Sequence, residues 1–218
     1  MRSVHLLFTA LGAALAAVAS VLACSVAQSQ QIGIDAPPYS DEGFGPVGDY
    51  LDSRCGSLDC HGQTGRNLLI YGCQGLRLDP DASPASCIEP TTEAEYEATY
   101  RSLVGLEPLV MATVDSECAA DVDAGWTYPP GPACHPELLT FIRKARGTEA
   151  HKGGQLICVN PPCPPGTMQV PLGADGGGPL VDLQDVCLVT WLEGATDTNA
   201  CVTSLTYPIF PTDAGASE

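Results

Sequence analysis

One stretch of the chain has the residue types and the spacing for chemistry: Arg54-Cys-Gly-Ser-Leu-Asp-Cys-His-Gly62. Two cysteines followed at once by a histidine are what covalent attachment of a c-type haem needs. The thiols add to the two vinyl groups of the porphyrin, and the adjacent imidazole reaches the iron as proximal ligand. Cys55, Cys60 and His61 would take those roles. The usual pattern is Cys-x-x-Cys-His; here four residues, Gly56 to Asp59, separate the thiols. The rival reading is a plain Cys55–Cys60 disulfide, with His61 as a capping or hydrogen-bonded surface side chain. A second axial ligand has four candidates beyond the leader: Met111, Met168, His135 and His151. Met168 and His151 rank first, and the choice matters because methionine raises the reduction potential.

Short helices and long loops must position these groups. The chain of 218 residues holds 23 glycines and 19 prolines, and only 6% of it is aromatic. Such a composition disfavours long helices and large sheets. A helix is expected from about Pro46 through Tyr50 and Leu51 into Cys55. Leu68-Leu-Ile-Tyr71 is a short apolar run. Thr92 and Glu95 form a capping box, with Tyr96, Tyr100, Leu103 and Val104 following at helical spacing. Asp115 to Ala133 reads as irregular. Pro136 opens a helix with Leu138, Leu139 and Ile142 as its apolar face, ended by Gly147. Asp182 caps a closing helix carrying Leu183, Val186, Cys187 and Trp191, with Gly194 as its stop. Trp191 at that spacing is read as core.

The amino terminus points to export. One cation, Arg2, precedes the uncharged, almost wholly apolar run Leu6 to Ala23. That is a signal-peptide pattern. Val21-Leu-Ala-Cys24 resembles a bacterial lipobox, which makes Cys24 a lipidated first residue; Ser25-Val-Ala27 is the alternative cleavage site. Eleven cysteines become ten once Cys24 carries lipid, a number that can pair completely in an oxidising compartment. Residues 1–23 are then the signal peptide, 24–46 the anchor and tether, 47–195 the domain and 196–218 a tail. The net charge of −17 excludes nucleic-acid binding through backbone charge.

The order Cys-x4-Cys-His61-Gly62, Gly75-Leu-Arg-Leu78, Pro136-Glu-Leu-Leu139, His151-Lys-Gly-Gly154 and Trp191-Leu-Glu-Gly-Ala195 resembles the cytochrome-c-like domains of exported bacterial proteins. It spans roughly residues 47–195. The chain departs from that pattern in its four-residue spacer, its eight further cysteines and the lack of a Met-Pro-Pro segment before the closing helix. The resemblance implies an all-α, small cytochrome-c-like helical domain, here with long disulfide-rich loops. It implies haem c held by Cys55, Cys60 and His61, and electron transfer in the cell envelope with a redox partner protein. Ser25 after the lipobox cysteine resembles an outer-membrane lipoprotein, periplasm-facing, of a Gram-negative-type bacterium. The alternative is a haem-free, disulfide-stabilised surface lipoprotein acting as a binding or structural module.

Arg143, Lys144, Arg146 and Lys152 are the one basic cluster, and with Arg66 and Arg77 they are candidates to pair haem propionates or an acidic partner. Zinc held by Cys55, Cys60, Cys158 and Cys163 is a lesser reading. Asp79-x-Asp81 and Asp121-x-Asp123 lack the distal glutamate of a calcium loop. No nucleophile elbow, phosphate loop, dinucleotide fingerprint or His-Glu-x-x-His helix is present, so no enzyme is expected. A local Cys158–Cys163 bridge is expected, with a more distant partner for Cys187.

Overall fold

A computed structural model describes residues 33–81, 87–159, 169–171 and 179–206. Ser40 opens the first helix, α1 (Asp41–Cys55), by accepting from the Gly43 amide, and Asp41 and Glu42 follow where the helix dipole favours acids. The helix therefore starts five residues before Pro46, which lies inside it. α2 (Glu93–Val104) has the expected capping box, Thr92 and Glu95 bonding reciprocally. Pro108 opens α3 (Pro108–Asp123), a helix through part of the stretch read as irregular. Its buried residues Met111, Val114, Cys118 and Asp121 recur at helical spacing, but the stripe is narrow and ends on a carboxylate. Asp121 is satisfied there by the amides of Ala133 and Cys134. A 3-10 turn (Pro136–Leu138) leads into α4 (Thr140–Ala145). Leu139 and Ile142 are buried, whereas Leu138 faces solvent and leaves the expected apolar face.

A two-stranded antiparallel ribbon, β1 (Gln169–Pro171) with β2 (Leu180–Asp182), precedes α5 (Leu183–Leu192). Asp182 caps α5 through the Gln184 amide, and Gly194 adopts a positive φ of 71° just beyond its end. The segment read as a tail contains a further helix, α6 (Thr198–Leu205), capped by Asp197. The architecture is mostly helical, α1 packing on α2, α5 and α6. Trp191 fills the centre, 1% exposed, with Phe44 and Tyr100 edge-on at 5.5 and 6.4 Å.

Three disulfides among the described residues supplement this small core: Cys73–Cys87, Cys118–Cys134 and Cys187–Cys201. The last ties α5 to α6, giving Cys187 a partner 14 residues away. Cys158 is disulfide-bonded as well, which removes it from a zinc set. Cys163 lies outside the described residues. No described helix is long and apolar enough to cross a membrane.

Candidate functional site

Cys55 is the last residue of α1, so the packing of that helix fixes where the motif begins. The chain then doubles back. The His61 amide donates to the Cys55 carbonyl at 2.9 Å, and the Cys60 and Gly62 amides donate to Ser57 at 2.9 and 3.0 Å. The extra residues of the spacer are thus wound into one tight turn. Gly62 and Gly75 both press on the Gly56 carbonyl so closely that a β-carbon at either would overlap it. This contact accounts for the glycines of Cys-His-Gly62 and Gly75-Leu-Arg-Leu78. Asp52, one turn before Cys55 and buried, accepts from the Gln74 amide and pins the 72–75 loop to α1. Burial raises its pKa to about 6.

The two motif cysteines are both free thiols, in contrast to the disulfide-bonded cysteines elsewhere in the described chain. Burial, and next the charge of Cys60, pushes the Cys55 thiol up to about 12. It is a protonated, apolar-set sulfur, not a reactive thiolate.

His61 is held on three sides. Besides its amide bond to Cys55, its carbonyl accepts from the Ile70 amide at 3.0 Å. Its ring Nδ1 lies 3.0 Å from the Leu68 carbonyl. A carbonyl only accepts, so Nδ1 carries the proton and Nε2 is left with a lone pair, the state a metal-ligating imidazole needs. Burial, chiefly, lowers the His61 pKa, which keeps the ring neutral; the Leu68 bond opposes that and the neighbouring His151 adds to it.

Cys55, His61 and His151 line one cavity of about 520 Å³. Leu51, Leu68, Phe141 and Leu188 give it apolar walls, and Arg66 and Lys144 stand among its lining residues. The volume lies within the range of small-molecule pockets, and the lining is mostly apolar with a few polar groups. The residues present fit a haem. One free thiol, Cys55, and a neutral, oriented imidazole line a pocket of suitable volume, the second free thiol, Cys60, directly precedes that imidazole in the chain, and Arg66 and Lys144 place positive charge at the lining. The His61 and His151 ring centroids are 6.1 Å apart, and the ring planes lie 16° from parallel.

Other candidates fall away from the cavity. Met111 is buried in the core at 1% exposure, and His135 is exposed and bonded to Glu137 at 3.0 Å; neither lines the pocket. Met168 and Cys24 lie outside the described residues. Much of the basic cluster is engaged: Arg143 with Glu149, Arg146 with Asp185, and Lys144 with Glu149 while still reaching the pocket. Arg77 is consumed by a buried pair with Glu95 at 2.8 Å, so the Arg of Gly75-Leu-Arg-Leu78 is structural. Arg66 folds back on its own motif, donating to the Cys60 and Asp59 carbonyls.

Lys144's place in the pocket lining, as distinct from its basic neighbours, and the wall formed by Leu68, Phe141 and Leu188 were not legible in the sequence. The signal available for the latter was the apolar run beginning at Leu68. Among the described residues no group of three or more His, Cys, Asp or Glu side chains could hold a metal ion by itself. No family model, curated protein or solved structure matches the chain.

Proposed function

We propose that this chain is a c-type-cytochrome-like electron carrier, exported and anchored through lipid on Cys24. In this reading haem c is attached to Cys55 and Cys60 with His61 as proximal ligand. The observation that carries it is the free state of Cys55 and Cys60 together with a cavity that Cys55 and His61 line, His61 in the tautomer a metal ligand requires. In a chain whose other described cysteines are bridged, two adjacent thiols left unpaired need a use.

Haem would supply a one-electron couple. The chain's residues would do the rest. Cys55 and Cys60 tether, while the Leu68 carbonyl orients His61 and keeps its Nε2 available. Leu51, Phe141 and Leu188 exclude water, which tunes the potential. Arg66 and Lys144 offer charge to carboxylates at the pocket. Such a carrier would meet a redox partner protein at the envelope.

The test is production of the full chain in a host with a c-type haem attachment system. A red protein with the spectrum of a protein-bound haem is expected. Colourless protein would leave the alternative, a haem-free surface lipoprotein acting as a binding or structural module. For the anchor, Cys24→Ala should release the protein from membranes into the soluble fraction; unchanged membrane association would contradict lipidation at Cys24.

A further inference from the structure

We infer that His151 is the second axial ligand, making the centre bis-histidine; this rests on the haem reading above. Two imidazoles on opposite sides of one metal ion have their ring centres set by two metal–nitrogen bonds of about 2 Å each and roughly 1 Å from each nitrogen to its ring centre, about 6 Å in all. The His61 and His151 centroids are 6.1 Å apart. Their planes lie 16° from parallel, and both rings line the same cavity.

The environment of His151 supports the assignment independently of the spacing. Its Nδ1 is buried and has no hydrogen-bond partner, and buried polar atoms without partners are rare enough to ask for an explanation. Nor is the ring set by chance. The Gly154 amide closes a turn onto the His151 carbonyl at 3.0 Å, and Gly154 takes a positive φ of 74°. A β-carbon at Gly153 would sit 2.7 Å from Cε1 of His151 and 3.1 Å from its Nδ1. The His151-Lys-Gly-Gly154 segment is therefore a cradle: Gly153 lets the backbone pass close against the imidazole, and Gly154 supplies the positive φ that closes the turn. Among the described residues lining the cavity, His151 is the one imidazole other than His61.

The full chain, loaded with haem in a host that attaches it, tests this by spectroscopy. The ferric protein should be six-coordinate and low-spin, with the magnetic resonance signature of two imidazole ligands and no sulfur-to-iron charge-transfer band. His151→Ala should become largely high-spin, bind carbon monoxide in the ferrous state at least tenfold faster, and return to low-spin with added imidazole. Circular dichroism should show the variant folded; if it does not fold, the wild-type magnetic resonance signature decides alone. Met168→Leu should leave the wild-type spectrum unchanged. A haem-loaded wild type showing sulfur ligation, or a His151→Ala protein that stays low-spin without imidazole, overturns the inference while leaving haem attachment intact. A wild type that never takes up haem overturns both.

Discussion

At His61 the fold settles which nitrogen is free. The Leu68 carbonyl accepts from Nδ1–H, so the backbone dictates the tautomer of the imidazole proposed to hold the iron. His61→Ala should abolish the low-spin spectrum while thioether attachment at Cys55 and Cys60 persists; a variant with the wild-type spectrum would show that another side chain holds the iron. Gly62 offers a test of the turn itself. Its β-carbon would overlap the Gly56 carbonyl, which is backbone and cannot swing aside. Gly62→Ala should cost about 1–3 kcal/mol in urea unfolding, the range for overpacking. A third residue reports on pH. Glu193 is 7% exposed, and burial, with Asp121 next, raises its pKa to about 7. The folded protein thus holds this proton more tightly than the unfolded chain, where a glutamate titrates near about 4.3. Its stabilising effect is complete below the unfolded value and is lost as pH rises through about 7. Between pH 8 and pH 5 Glu193 should add on the order of 2 kcal/mol of stability. Glu193→Gln should flatten that rise, and an identical slope in the variant would contradict it.

Element by element, what the sequence showed were ends, and what it hid were middles. Thr92, Asp182 and Gly194 were legible because capping chemistry is local: a hydroxyl or carboxylate within reach of an amide, and a glycine where φ turns positive. α1 was legible at Cys55 but not at Ser40, since Gly43, Gly45, Pro46 and Gly48 are weak helix formers held by packing. α3 was hidden because half its buried stripe is unconventional: Cys118 is drawn in by its bridge to Cys134, and Asp121 by two amides across the loop. α6 was hidden for a similar reason, Cys201 joining it to α5. The site was legible as a motif, Cys55 to His61, whereas the 6.1 Å pairing with His151 comes from residues 90 positions away and no local rule reports it. The bridges also differ in reach. Cys187 and Cys201 are both fully buried, and Cys118 and Cys134 nearly so, whereas Cys73 is half-buried and Cys87 exposed. Mild reductant should therefore open Cys73–Cys87 first, with the other two described bridges protected until the chain unfolds. Alkylation with mass mapping would show this, and simultaneous labelling of all three pairs would contradict it.

Over the whole molecule, the sparse aromatic core and the bridges share the task of stability. The three described bridges close loops 14 to 16 residues long. By chain-entropy reasoning each is worth about 3 kcal/mol, large beside the roughly 5–15 kcal/mol net stability of a domain. Full reduction should therefore lower the melting temperature sharply even with haem thioethers in place; coincident melts would show that the apolar core suffices. Against that pattern of pairing, the free thiols of Cys55, which lines the cavity, and of Cys60, five residues on, are the exception on which the proposed function turns. The most direct test is a denaturing gel stained for haem, with intact mass, on the wild-type chain and the Cys55→Ser, Cys60→Ser double variant made with a haem attachment system. The account predicts a stained wild-type band that is heavier by one haem and a double variant that loses the stain. An unstained wild type of apoprotein mass, with Cys55 and Cys60 free to alkylate or joined to each other, would contradict it.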